Sequence, residues 1–302
     1  MNAHELSETY RSLKLRGAEC VRAGRFEEAF QIYSEARGVV ERIGDPELGY
    51  EAVANLSMVH LELGRTREAE AGLREIVLRS RNQDVVFGAC YNLAVSLRKQ
   101  GNHGRALAYA SRAMEISRRR RAHPSRALVH NLLGNIYLGQ SHLDPALKEY
   151  RRALAIRRRE IGDNRFSVAI LKENIGYCLL LKRQLRRGMK WITEALGLAE
   201  ETGDRRCQAD CLQDLAYAWM HAGNYEKAAS NGAAALEAAI EGGYRDVEKN
   251  CYYLLGETAH LAGDGKTRDR WFNLLQTHYP DMPHLRDFLC AVDVSGMINL
   301  KA

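Results

Sequence analysis

The sequence predicts an all-α solenoid of about seven helix-turn-helix repeats plus a C-terminal capping helix, and three observations carry that prediction. Five prolines in 302 residues leave room for long helices. Small residues recur inside apolar-periodic segments at steps of 40, 37, 40, 42, 40 and 40 residues. Within each step a glycine or polar residue stands where one helix would have to end.

Seven segments align on this pattern: "LRGAECVRAGRFEEAFQIYSEA", "NLSMVHLELGRTREAEAGLREI", "NLAVSLRKQGNHGRALAYASRA", "LLGNIYLGQSHLDPALKEYRRA", "NIGYCLLLKRQLRRGMKWITEA", "DLAYAWMHAGNYEKAASNGAAA" and "LLGETAHLAGDGKTRDRWFNLL". The first helix of each carries one small residue: Gly17, Ser57, Ala94, Gly134, Gly176, Ala216 or Gly256. Twelve residues on stands a second, at Ala29, Ala69, Ala106, Ala146, Gly188 and Ala228, with Arg268 as the exception. Seven further on come Ala36, Ala113, Ala153, Ala195 and Ala235, with Ile76 and Leu275 larger. Antiparallel helices joined by a short turn approach closely only where side chains are small. The first two positions are therefore expected to face each other inside a pair, and the third to dock the second helix on the next pair. Gly24, Gly64, Gly101, Gly223 and Gly263 are placed to end first helices in the left-handed geometry glycine tolerates. At three junctions, "RIGDPELGYEAVANL", "EIGDNRFSVAILKENI" and "ETGDRRCQADCLQDL", a Gly-Asp pair would cap one helix and start the next.

These residues resemble the tetratricopeptide repeat over roughly residues 5–280. The fourth repeat matches best, with Leu133, Gly134, Tyr137, Ala146, Tyr150 and Ala153 at the signature positions, and the fifth and seventh match least. The longer step is similar to a long-helix subgroup that includes kinesin light chains, Pins-like polarity adaptors and bacterial Rap-like peptide receptors. The resemblance implies a right-handed superhelical array at 1–280, with repeats near 10–43, 50–81, 87–121, 127–161, 168–202, 208–242 and 248–280. Residues 281–302 are left for a capping helix, "PHLRDFLCAV", and a flexible tail, whose folding back into a groove is the bolder alternative.

The resemblance further implies a non-enzymatic adaptor that binds a peptide or protein along its first helices. The corresponding groove positions hold Lys14, Asn55, Met58, Tyr91, Asn92, Arg98, Asn131, Asn135, Asn174, Tyr177, Gln213, Tyr217 and Tyr253, with Glu173, Asp214 and Glu257 among them. Amides can bond a peptide backbone without reading its sequence, and tyrosines add flat apolar area with a polar tip. The same asparagines could instead brace the helix stack. Relatives that clamp a C-terminal carboxylate use cations at set positions, where Asp210 and Asp214 stand here. A carboxylate ligand would meet like charge, and that mode is not expected.

Charge points to a second surface. Residues 98–190 contain 22 Lys and Arg against 6 Asp and Glu, whereas the remainder holds 22 against 32. Arg118, Arg119, Arg120 and Arg121 end one second helix, and Arg157, Arg158 and Arg159 end the next. Cations in a last turn suit the helix dipole, yet with Arg126 their sum predicts a basic edge for an acidic partner. Nucleic acid is disfavoured because no aromatic platform accompanies the arginines. Unlike charges on middle and flanks predict head-to-tail contact between copies.

No catalytic constellation is found. "GDGKT" at 263–267 lacks the earlier glycine of a phosphate loop and falls at a helix–helix turn. Cys207 and Cys211 are half a zinc site at most. No metal or cofactor is expected. The seven scattered cysteines read as reduced, buried thiols of a cytoplasmic protein. No secretory leader or membrane span is read. The first repeat begins near residue 10, so an N-terminal effector domain like those of the Rap-like receptors is not expected, and a peptide-sensing reading would act through a partner protein.

Overall fold

The computed structural model describes residues 3–22, 24–119, 123–160, 162–292, 294 and 299–301, and these are all-α. Two compact units divide the chain, Met1–Ile136 and Tyr137–Ala302.

The first unit holds α1 (Ala3–Arg22), α2 (Phe26–Ile43), α3 (Pro46–Glu62), α4 (Thr66–Arg79), α5 (Gln83–Lys99), α6 (His103–Arg119) and most of α7 (His123–Gly139). α1 packs on α2, α3 on α4 and α5 on α6, and each pair leans on the next. Two apolar clusters form its interior, one around Tyr10, Tyr33 and Leu56, the other around Leu73, Leu93 and Ile136.

The second unit holds α8 (Leu143–Arg157), α9 (Arg165–Leu181), α10 (Leu185–Thr202), α11 (Arg205–His221), α12 (Tyr225–Gly242), α13 (Arg245–Leu261), α14 (Gly265–Thr277) and α15 (Leu285–Ala291). The pairs α9/α10, α11/α12 and α13/α14 stack in order, and α15 packs on α14. The first helices α9, α11 and α13 thereby lie side by side.

Close approach explains the small positions. A Cβ added at Gly176 would stand 3.0 Å from the carbonyl oxygen of Gly188, and one at Gly188 would stand 2.8 Å from that of Gly176. The two glycines face each other with backbone against backbone. A further regularity lies sixteen residues after four of the first small positions. Tyr33 covers Gly17, Ile192 covers Gly176 and Phe272 covers Gly256, whereas Ala216 is met by Gly232. A large residue fills the space a glycine leaves, so interior density stays constant while the residues vary.

All seven turns from first to second helix place one residue at positive φ. Gly24, Gly64, Gly101, Gly223 and Gly263 do so at 70 to 78°, and Ser141 and Arg183 take the same place at 58° and 59°. Gly44 and Gly203 end α2 and α10 in the left-handed conformation, and Asp45 and Asp204 then cap α3 and α11. At the third Gly-Asp junction Asn164 takes the capping position, and Asp163 bonds the amide and guanidinium of Arg165. "GDGKT" is such a start as well: Asp264 accepts from Thr267 N at 3.0 Å, capping α14.

Candidate functional site

The expected groove positions are spread over both units, and the structure treats them differently. In the first unit, Lys14 of α1 ion-pairs with Glu51 of α3, and Tyr10 donates to the same carboxylate at 2.9 Å. Asn55, Met58, Asn92, Arg98, Asn131 and Asn135 are half-buried. Tyr91 is half-buried too and stacks on Phe87, with ring centres 6.4 Å apart.

In the second unit the first helices bring together Glu173, Asn174 and Tyr177 of α9, Gln213, Asp214 and Tyr217 of α11, and Asn250, Tyr253 and Glu257 of α13. All except Asn250 are buried. Helical spacing places these groups on one face, because residues three and four apart stack one above the other.

Residues 299–301 lie in this groove. Tyr177 Oη accepts from the Leu300 amide at 2.7 Å and donates to Asn299 Oδ1 at 3.1 Å. Asn250 Nδ2 donates to the Leu300 carbonyl at 2.9 Å and to Gln213 Oε1 at 3.0 Å. Asn299 Nδ2 donates to the Leu138 carbonyl at 3.0 Å, near the end of α7. Both peptide groups of Leu300 are thus satisfied by groove side chains, as enclosed backbone requires.

Lys301 ends the contact. Its ammonium pairs with Asp214 Oδ2 at 2.9 Å and with Glu173, and stands 4.6 Å from the centre of the Tyr177 ring. Its side chain is 16 % exposed, Glu173 is 5 % exposed and Asp214 is fully enclosed. Burial pushes the Lys301 amine down to about 7. Burial, and then the neighbouring Asp210 carboxylate, raises Asp214 well above the usual carboxylate range. Whichever of the two holds the proton, the contact between them remains a hydrogen bond. Burial followed by Asp214 pushes the Tyr177 phenol up, so its hydroxyl stays protonated and able to donate.

The segment does not fill the groove. Beyond Leu300 a cleft of about 440 Å³ continues along α13, α14 and α15, past Tyr253, Tyr279 and Leu285.

Sequence reasoning had Glu173 and Asp214 at groove positions and used Asp210 and Asp214 only to exclude a carboxylate ligand. The converse was also readable: where cations are replaced by acids, a cation is the ligand that fits. Asn250 gave no separate signal, and neither did Asn299 or Lys301.

The basic-edge residues are divided between the units. Arg118 and Arg119 are exposed at the end of α6, and Arg119 pairs with Glu115 one turn earlier. Arg120 and Arg121 lie outside the described residues. Arg126 is half-buried on α7. In the second unit Arg157 is folded against Glu160 at 2.8 Å with its side chain 14 % exposed, whereas Arg158 and Arg159 face solvent. Six of the seven cysteines are buried free thiols, Cys207 and Cys211 among them. Among the described residues no helix is long and apolar enough to cross a membrane, and no His, Cys, Asp or Glu cluster is arranged to hold a metal ion.

A family model described as tetratricopeptide repeat matches residues 88–159. A curated relative, the 43 kDa receptor-associated protein of the synapse from Tetronarce californica, is 28 % identical over 132 residues, which is 43 % of this chain and 32 % of that one. The chain therefore spans about a third of the length of this relative. Among solved structures, the apo form of RapI superposes with a TM-score of 0.71 at 13 % identity, over 90 % of this chain and 98 % of that one. A signal transduction ATPase with a tetratricopeptide repeat sensor, from Pyrococcus horikoshii, gives 0.69 at 17 % identity, over 96 % of this chain and 45 % of that one. A tetratricopeptide repeat protein from Parabacteroides merdae gives 0.60 at 13 % identity, over 93 % and 99 %. At these identities the likeness is one of fold.

Proposed function

We propose that this chain, whose residues 88–159 match a tetratricopeptide repeat model, is a non-enzymatic scaffold that binds an extended peptide or protein segment along its first helices. The observation that carries this reading is the seating of residues 299–301 against α9, α11 and α13. Groove side chains there bond the amide and the carbonyl of one peptide unit at 2.7 and 2.9 Å. Such bonds serve any extended backbone, because every residue but proline offers the same donor and acceptor.

The groove ligand this supports is basic, since its polar floor includes Glu173, Asp214 and Glu257. An acidic partner would instead be met by exposed arginines, Arg118 in the first unit or Arg158 and Arg159 in the second. Those side chains would steer association more than they would set affinity. Proteins of this repeat family generally act as interaction scaffolds, which supports this reading.

A nuclease-treated pull-down from native lysate tests the reading with two variants. One changes Asn55, Asn92, Asn135 and Asn174 to Ala, and the other changes Arg118, Arg119, Arg158 and Arg159 to Ser. A protein captured by the wild type, lost with the first variant and kept by the second supports groove binding. The opposite pattern moves the interface to the basic edge.

A further inference from the structure

We propose that the groove of the second unit is a lysine-reading peptide site, that residues 299–301 hold it shut, and that a partner segment with lysine at the same place opens it. This rests on the scaffold reading and adds the chemistry of the ligand and a means of control.

The choice of lysine follows from the end of the groove. Two carboxylates on neighbouring helices, Glu173 and Asp214, converge on one point, and the Tyr177 ring lies 4.6 Å beneath it. An ammonium is a compact charge with three donors, which suits two acceptors and an aromatic face together. The planar guanidinium of arginine needs a fork of acceptors in one plane and more width. A neutral side chain would leave two enclosed carboxyl groups without a cation, which discriminates strongly against it.

Two places upstream the site reads an amide. The Asn299 side chain accepts from Tyr177 and donates to the Leu138 carbonyl, while its oxygen also accepts from the Lys301 amide at 3.1 Å. That last bond turns the chain so that the lysine points at the acids. The intervening Leu300 is held by its backbone and packs at the margin of two apolar clusters. The readable pattern is therefore amide, apolar, lysine.

The same contacts make the segment a competitor. A tethered occupant acts at an effective concentration in the millimolar range. An external ligand binds only the fraction of molecules whose groove is open, so its apparent affinity falls by that fraction. The open cleft beyond Leu300 gives a partner segment additional surface with which to displace the internal one.

The test uses full-length protein and a fluorescent synthetic peptide, Gly-Met-Ile-Asn-Leu-Lys-Ala, copied from residues 296–302. Anisotropy titrations compare the wild type with an Asn299→Ala/Lys301→Gln double variant. The double variant is expected to bind the peptide at least about tenfold more tightly than the wild type, as removal of the internal competitor requires. The same peptide carrying Gln in place of Lys should lose about tenfold or more on the double variant. Adding Asp214→Asn to the double variant should abolish the gain, and the peptide substitution covers the case in which that protein does not fold. Equal affinity for the Lys and Gln peptides overturns lysine reading. Equal affinity of wild type and double variant overturns the internal competition, and no binding by either overturns both. The scaffold reading is judged separately by the pull-down, since a partner lost with the asparagine variant would keep it standing even if every peptide titration failed.

Discussion

In the first unit Lys14 of α1 pairs with Glu51 of α3, whereas in the second Glu173 of α9 and Asp214 of α11 take their cation from a distant segment. Lys14 and Glu51 sit on adjacent helices with side chains 43 % and 31 % exposed, and water shares their charge. Glu173 and Asp214 are enclosed and meet Lys301. A solvated pair is self-sufficient. Enclosed acids have given up water and gain a donor only when Lys301 is seated, which makes the second groove a place where occupancy has thermodynamic weight.

The largest effect that sharpens this contrast is the loss of each lysine. Removing one partner of an enclosed ion pair costs about 3–5 kcal/mol when the other charge is trapped. Residues 299–301 can leave and admit water, so Lys301→Ala should destabilise the fold by about 2 kcal/mol, below that trapped-charge range. Lys14→Ala should change stability by less than about 1 kcal/mol, as exposed pairs do. Urea unfolding of both variants measures this, and equal small losses would mean that Lys301 is held no more firmly than a surface residue.

The second contrast concerns how closely helices approach. At Gly188 an added methyl group meets the backbone of Gly176, which cannot rotate away. At Gly72 in the first unit it meets the tips of Ser57 and Val53, both at 2.8 Å. Overpacking costs about 1–3 kcal/mol, against about 1 kcal/mol of helix propensity gained when Ala replaces Gly. Gly188→Ala should therefore lose about 2 kcal/mol, while Gly72→Ala should stay within about 0.5 kcal/mol of the parent, both read from denaturant midpoints. Comparable losses would show that the side chains around Gly72 are as fixed as backbone.

What could be read from the sequence divides along the same line. The spacing from Gly176 to Gly188 was legible because it reflects packing between helices joined by one short turn. The capping role of Gly24 or Gly263 was legible because it depends on a single backbone angle. The residues sixteen places on, such as Tyr33 and Phe272, were not singled out because they vary in size to compensate their partners. The sequence supports the docking of residues 299–301 only as the bolder alternative. Tyr177 and Asn299 are 122 positions apart, and "INLKA" shows no period that would place it against any helix. Asp214 was noticed, but as a bar to one ligand and not as a demand for another.

The smallest effect lies in the turns. Those from first to second helix in the first unit use Gly24, Gly64 and Gly101, while the second unit uses Gly223 and Gly263 at two of the equivalent places but Ser141 and Arg183 at the other two, at φ of 58° and 59°. A side chain in the left-handed region costs about 1–2 kcal/mol relative to glycine. Glycine gives back about 0.5–1 kcal/mol through the freedom of its unfolded chain. Ser141→Gly should thus stabilise the fold by about 0.5–1 kcal/mol, seen as a higher urea midpoint. Arg183→Gly should gain less, because it also removes the contact of Arg183 Nη1 with His221 Nδ1 at 3.1 Å. Gly101→Ala is the reverse experiment in the first unit and should lose about 1 kcal/mol. If Ser141→Gly instead destabilises, the serine must supply a contact worth more than the backbone strain it accepts, and the two units differ by function at that turn as well as at the groove.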